Sequence, residues 1–390
     1  MAAELIFITV SLLLAWTFLI YPAGVTMAAH LMRKRGVIRR KTHDTQALPT
    51  VTVVMSVHNE DKVIRSKITS MLGSDYPAGQ IDFIVGSDGS TDGTDLLVAG
   101  IAATDSRIRF IRNEERRGKA AMINDLVSMA RGEILIVTDA NVIFTSGTVR
   151  KLAEPFVDLA AGLCDASPRP SVSVNGGITR QENLYSRFET ALKRAEGDLW
   201  GAMPGPYGGC YAVRRSLFPR LPENILVDDL FAGLSVLKQN YRVINIHDAI
   251  VYEDTQPGIS EQFRRRTRIA AGSFQNLFRF GLFFSHRAVV VIAFLSHKIL
   301  RWLTPLLLSL FFMTSVILSG HSDFYFYITA VQLIFIILTA LDLALDRKGK
   351  MIPFQRYVTQ FLLMNAALAA GFVKALRGTE TGIWEPTKRV

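Results

Sequence analysis

At the end of the run GEILIVTDAN, residues 132–141, a carboxylate and an amide stand two residues apart, Asp139 and Asn141. Oxygen donors so spaced can reach one ion, and hard oxygen ligands suit Mg²⁺ or Mn²⁺ held jointly with a substrate's phosphates. On those ten residues alone, Asp139 is better explained as the cap of a following helix. Its neighbours shift that balance. Glu60 and Asp88 also follow apolar runs, and Lys119 opens an apolar stretch after the basic turn Arg116-Arg117-Gly118. A carboxylate can accept from a base or ribose and a lysine can pair with phosphate. Acids at converging strand ends with a lysine nearby therefore describe a nucleotide crevice.

The elements that must position these groups read as alternating strands and helices. Residues 50–57 are rich in Val and open into Asn59 and Glu60; residues 61–72 carry Val63, Ile64, Ile68 and Leu72 at helical spacing; residues 74–79, with Pro77, make a turn. A second strand over 81–85 runs into Ser87-Asp88-Gly89-Ser90-Thr91-Asp92-Gly93-Thr94. A helix over 95–103 leads to a third strand over 108–112, and a helix from Lys119 through Met129 leads to the fourth, Ile134 to Val137. This alternation implies an α/β domain with a parallel, doubly wound sheet. Neither Gly-x-x-x-x-Gly-Lys-Ser/Thr nor Gly-x-Gly-x-x-Gly follows the first strand, which argues against the two commonest nucleotide folds.

Around that domain the chain is unusually apolar. Of 390 residues, 49% are hydrophobic, and the net charge is +10. Residues 5–29 form an apolar run long enough to cross the ~30 Å hydrocarbon core. Basic residues follow this run instead of preceding it and no small-residue cleavage site is evident, so it reads as a permanent anchor and not a signal peptide. Arg33, Lys34, Arg35, Arg39, Arg40 and Lys41 just beyond it place that side in the cytoplasm and the N-terminus outside. Residues 303–318 and 324–345 read as further crossings, with Asp342, Asp346, Arg347, Lys348 and Lys350 at the inner end. Residues 361–373 are shorter than a span needs and read as re-entrant or interfacial. Phe278, Phe280, Leu282, Phe283 and Phe284 beside Arg279 and Arg287 suggest interfacial helices. Because the positive charge gathers at membrane edges and in Arg264, Arg265, Arg266 and Arg268, a membrane surface explains it and nucleic acid does not. Cys164 and Cys210 make neither a disulfide framework nor a zinc pattern and fit a reducing compartment.

Taken in order, the motifs resemble those of family-2 glycosyltransferases with a GT-A fold, in the membrane-integrated branch that includes hyaluronan, chitin, cellulose and poly-N-acetylglucosamine synthases. The resemblance covers roughly residues 49–277. His58-Asn59-Glu60 is similar to the family's Tyr-Asn-Glu, and the segment from Ser87 to Thr94 to its Asp-Asp-Gly-Ser-x-Asp-Gly-Thr. Gly118-Lys119 with Asn124 is similar to Gly-Lys-x-x-Ala-Leu-Asn, and Asp139-Ala140-Asn141 stands where the family has Asp-x-Asp. Tyr207-Gly208-Gly209-Cys210-Tyr211 resembles the Gly-rich strand that floors the acceptor site, after an amphipathic helix over 180–197. Val227-Asp228-Asp229-Leu230 resembles the motif whose second acid is the general base. Gln262-Phe263-Arg264-Arg265-Arg266 resembles Gln-x-x-Arg-Trp, with Arg266 in place of Trp.

The resemblance implies a GT-A catalytic domain over residues 50–260, between an anchor (1–30), a basic linker (31–49), interfacial helices (261–300), membrane segments (301–375) and a tail (376–390). It implies an inverting, metal-dependent hexosyltransferase in the inner or plasma membrane, its catalytic domain cytoplasmic, acting in cell-surface polysaccharide synthesis. Its donor would be a nucleotide-diphosphate sugar, most simply UDP-linked, and its acceptor a polysaccharide or a lipid-linked sugar. Asn59, Glu60, Asp88, Lys119, Gln262 and Arg265 would bind the donor, and Asp139 and Asn141 the Mg²⁺ or Mn²⁺. Asp229 would take the acceptor's proton, since a sugar hydroxyl is a poor nucleophile until it is deprotonated. Two adjacent acids need not both cap a helix, so Asp228 is left to cap or position. Loss of the Trp points to short products, and the rival acceptor is a single lipid such as ceramide or a polyprenyl phosphate. The rival outside enzymes is a degenerate binding or export subunit, for which Asn141 in place of Asp is the best support. An export partner or a second copy of the chain would be a possible companion. Asn141→Asp is expected to bind metal at least as tightly as Asn.

Overall fold

The computed structural model describes residues 1–38, 48–171, 177–253, 259–282, 285, 287–346 and 355–378, with the backbone alone over 177–186. Arg39, Arg40, Lys41, Phe283, Phe284, Arg347, Lys348, Lys350 and most of the C-terminal tail lie outside the described residues.

Eight strands form one sheet: β1 (Val51–Val57), β2 (Ile81–Asp88), β3 (Ile108–Asn113), β4 (Ile134–Thr138), β5 (Val142–Phe144), β6 (Ala161–Pro170), β7 (Cys210–Arg214) and β8 (Arg242–Glu253), in the order β3-β2-β1-β4-β7-β6-β8-β5. The first four are parallel, as the alternation with helices requires. Val51 pairs with Ile81 on one side and with Ile134 on the other, so Val57, Ser87 and Thr138 end on one edge. Strands covered on both faces read as continuous apolar runs, and β4 is buried throughout. One core layer, with Met122, Ile123 and Leu126, covers one face; another, with Ile64, Ile68 and Met71, covers the other. The helix Lys119–Met129 sits so close to β2 that a Cβ on Gly86 would lie 2.3 Å from the Met122 sulfur.

The sheet is mixed from β7 onward. β7 runs antiparallel to β4, pairing Thr138 with Cys210, and this brings Gly208 and Gly209 alongside Asp139. The Asp139 N–H donates to the Gly209 carbonyl at 3.0 Å. Helix ends differ from the sequence pattern by a few residues; the first begins at Ile64, because residues 61–63 form a turn held by the Glu60 carbonyl.

Three helices among the described residues are long and apolar enough to cross a membrane: Ala2–Lys34, Asp323–Asp346 and Gln355–Leu376. The last corrects the reading of 361–373 as too short. Its extra turns carry Arg356, whose cost is met by Asp342 at 3.4 Å and Asp346 at 2.9 Å on the preceding helix. Hydropathy alone hides such a pairing. The run 303–318, expected to cross, forms a 15-residue helix, Thr304–Leu318, bent by 62° from Ala288–Trp302, and the two together have the length and apolarity of a broken span or a re-entrant loop. At 1.5 Å per residue it rises only about 22 Å. Pro305 in its first turn lacks the N–H that would continue the preceding helix, which accounts for the break.

These helices are packed onto the sheet domain. Tyr21, Val25 and Ala29 bury against Leu192 and Ala195 of the helix Gly177–Trp200. Gly371 lets Gln355–Leu376 lie directly on the helix Ile259–Phe280, where a Cβ would come within 2.4 Å of Ala270 Cβ.

Candidate active site

The edge where β1, β2 and β4 end is tied into one unit by short polar contacts. Asn59 takes a left-handed backbone (φ 55°), and its side-chain oxygen accepts from the Thr91 N–H at 2.8 Å. The Glu60 N–H donates to Thr94 Oγ1 at 2.8 Å. Asp88 is buried, and its two oxygens accept from the backbone N–H groups of Arg117 at 2.8 Å and Gly118 at 2.7 Å. Asp88 thus holds the turn that launches the helix Lys119–Met129. That turn needs glycine at 118, where φ is 97°.

Lys119 is the point on which the acids converge. Its Nζ lies 2.9 Å from Asp139 Oδ1 and 3.4 Å from Asp228 Oδ2. Burial alone would lower the Lys119 pKa, but the charges of Asp139 and Asp228 outweigh it and raise it. Burial likewise works against ionisation of Asp139, yet Lys119 and then Arg268 and Arg265 hold its carboxyl below the ordinary range. Asp229 goes the other way. Burial, then the neighbouring charge of Asp228, push it up to about 6 against the opposing pull of Lys119. It rests on Gly208, where a Cβ would meet Asp229 Oδ2 at 2.8 Å, so only glycine leaves the carboxylate its place. Asp228 and Asp229 both fall in the first turn of the helix Asp228–Lys238, but the cap is Val227 and no side chain caps it. Capping is therefore not what Asp228 does; it faces Lys119.

Three further residues belong to this unit and went unnoticed in the sequence. Asp165 on β6 is fully buried and accepts from the Tyr207 N–H at 2.7 Å, from Asn245 Nδ2 at 2.7 Å and from Lys193 Nζ at 3.4 Å. Burial raises its pKa despite Lys193. Lys193 has a raised pKa because Asp165, Glu189 and Asp229 overcome its own burial. Glu253, the last residue of β8, accepts from Tyr207 Oη at 2.6 Å and pairs with Arg265 at 3.1 Å. The structure thus brings Arg265 to the site through Glu253. Gln262 lies one turn before Arg265 on the same helix. A polar residue ending an apolar strand could have flagged Glu253. Nothing local marks Asp165, inside a continuous run, or Lys193, on the polar face of an amphipathic helix.

Among the described residues no group of three or more His, Cys, Asp or Glu is arranged to hold a metal by itself. The protein offers one carboxylate kept ionised, Asp139, and one amide, Asn141, at the mouth of the crevice. Such a short oxygen donor set fits Mg²⁺ or Mn²⁺ only if a diphosphate and water complete the shell, which is how these ions are commonly held.

Residues 52–221 match the model of glycosyl transferase family 2, and residues 180–343 that of glycosyl transferase family group 2. The chain is 26% identical over 291 residues to a probable glycosyltransferase, YdaM, of Bacillus subtilis, covering 70% of this chain and 67% of that one. It is 25% identical over 249 residues to an N-acetylglucosaminyltransferase of Rhizobium meliloti, covering 60% and 58%. It is 27% identical over 243 residues to a beta-monoglucosyldiacylglycerol synthase of Nostoc sp., covering 59% and 50%. The matches to the Rhizobium and Nostoc relatives thus span between half and three fifths of those proteins' length. Among solved structures, the mannosyltransferase PcManGT from Pyrobaculum calidifontis, in complex with GDP-Man and Mn²⁺, superposes with a TM-score of 0.67 at 23% identity, covering 96% of this chain and 99% of that one.

Proposed function

We propose that this chain, which belongs to glycosyltransferase family 2 and has the GT-A fold, is an inverting, membrane-bound transferase that moves one or a few sugars from a nucleoside-diphosphate sugar to a lipid-linked acceptor. The observation that carries the reading is the pair of unlike carboxylates on one lysine: Asp139 kept ionised beside Lys119, and Asp229 pushed up to about 6 against Gly208. Environments that drive two acids apart assign them different tasks.

Asp229 is the base. It takes the proton of the acceptor hydroxyl as that oxygen attacks the anomeric carbon, the bond from that carbon to the diphosphate oxygen breaks, and the diphosphate leaves with the electron pair. One displacement inverts the configuration. Lys119 meets the phosphate oxygens, and Arg265 and Gln262 approach from the helix Ile259–Phe280. Asn59, Glu60 and the turn held by Asp88 line the nucleotide end. Asp139 and Asn141 would hold Mg²⁺ or Mn²⁺, which when bound neutralises charge building on the leaving diphosphate.

The acceptor side is tied to the membrane. The helix that carries Arg264, Arg265, Arg266 and Arg268 packs along Gln355–Leu376, a helix of membrane length, through Gly371. An acceptor anchored in lipid would arrive along this side. Arg266 supplies charge where an aromatic face would stack on a growing sugar chain, which favours early release of product and an acceptor bearing its own negative charge. The synthase of Nostoc, named for a glucosylated diacylglycerol, is in keeping with a lipid acceptor.

Purified protein in lipid, offered a panel of UDP- and GDP-sugars with lipid and saccharide acceptors, tests this. Short glycolipid products that disappear in EDTA are expected. Early high-mass polymer beside unused acceptor would overturn the short-product reading, and full transfer in EDTA would overturn the metal.

A further inference from the structure

Asn141 departs from the second Asp of the family's motif, and the structure supplies a reason in Glu253, 112 residues away. The Glu253 carboxylate has three donors around it: Tyr207 Oη at 2.6 Å on one oxygen, and Arg265 Nη2 at 3.1 Å with Asn141 Nδ2 at 3.3 Å on the other. A carboxylate in such an ion pair only accepts. The edge of the Asn141 amide that faces it must therefore be the NH₂, and the amide oxygen is turned to the opposite side. Tyr207 cannot take over that role as a charged partner, since burial and then Glu253 itself push its phenol well above the ordinary value and it keeps its proton.

We propose that Glu253 is a positioning residue that fixes the amide of Asn141 with its oxygen presented beside Asp139, so that Asn, and not Asp, is the residue this metal site requires. The inference rests on the reading of Asp139 and Asn141 as metal ligands. An aspartate at 141 would set two carboxylates about 3.3 Å apart, with Arg265 already committed to one of them. Like charges so close repel, so an aspartate at 141 turns away from Glu253 and loses the orientation that the amide keeps. This reverses the expectation that Asn141→Asp would bind metal at least as well. It also removes the best argument for a degenerate site, because Asn141 becomes the partner that Glu253 demands.

The test is a double-variant cycle read by Mn²⁺ affinity, from electron paramagnetic resonance of free Mn²⁺, on the full-length protein in lipid nanodiscs with saturating UDP or GDP. Asn141→Asp should weaken Mn²⁺ binding by ~10-fold, and adding Glu253→Gln, whose amide can donate to the new carboxylate, should restore it to within about threefold of the starting protein. Melting temperatures without metal, within a few degrees of one another, would show that each variant is folded. Asn141→Asp binding Mn²⁺ as tightly as the natural protein overturns the proposal, as does a loss that Glu253→Gln fails to restore, while both leave the metal reading intact. A natural protein that takes up no Mn²⁺ with either nucleotide overturns the metal reading and this inference with it.

Discussion

Two clusters of buried charge both act on Lys193, through Glu189 and through Asp229, and they are built to different ends. Around Glu189 the contacts are saturated: Glu189 accepts from Lys298 and from Arg301 at 2.8 Å and lies 3.0 Å from His297 Nε2, while Glu196 lies 2.8 Å from His297 Nδ1 and accepts from Tyr21 Oη at 2.7 Å. Burial would raise the Glu189 pKa, but His297, Lys298 and Arg301 hold it well below the carboxylate range. Around Lys119 the contacts are unsaturated, although the charge of Arg268 also acts on Asp139, Asp228 and Asp229. Asp139 and Asp228 share one lysine, Asp229 stands beside them, and the buried Asp228 Oδ2 has no hydrogen-bond donor among the described residues. A saturated cluster ties elements together, here the N-terminal helix, Gly177–Trp200 and Ala288–Trp302. One whose buried carboxylate oxygen lacks a donor is open to a ligand that supplies one.

That contrast can be broken by substitution. The largest effect is expected at Asp229→Asn, which removes the proposed base and leaves the nucleotide crevice alone. Turnover should fall ~10²–10⁴-fold, with donor affinity, from calorimetry, little changed. An active Asp229→Asn beside an inactive Asp228→Asn would exchange the two roles.

Glu189→Gln should behave in the opposite way. It leaves Lys298 and Arg301 facing a neutral amide, and breaking a buried pair costs about 3–5 kcal/mol. The loss should appear as a lower melting temperature in lipid, with turnover per folded molecule retained. If activity falls and stability does not, the Glu189 cluster belongs to the chemistry.

A smaller effect concerns pH. Asp229 accepts a proton only when it is ionised, so kcat/KM should decline as pH falls through about 6. Asp228 raises that value by its charge. In Asp228→Asn the acid limb should therefore move to lower pH; an unmoved limb would mean that another group sets it. Smallest is Asp75→Asn, which removes the exposed pair with Arg150 at 3.0 Å. Such pairs contribute at most ~1 kcal/mol, and neither melting temperature nor turnover should change by more than a few per cent.

How far the sequence speaks for itself differs along the chain in the same manner. Ile134 to Val137 followed by Asp139 is legible because a strand covered on both faces must be apolar until it reaches the rim, where polar groups meet water. The same reasoning exposes Glu60 and Asp88, and the length of the apolar run after Leu5 marks the first membrane-length helix, because burial in lipid is decided residue by residue. Those are local consequences of periodicity and length. Tertiary structure alone decided that β7 runs antiparallel beside β4 and so seats Gly208 under Asp229, that Asp88 spends both oxygens on a turn, that Arg356 is neutralised by Asp342, and that Glu253 reaches Asn141. Each joins residues distant in the chain. Pairing of that kind leaves no period in the sequence, since a charge's partner is fixed by where the backbone returns and not by what stands next to it.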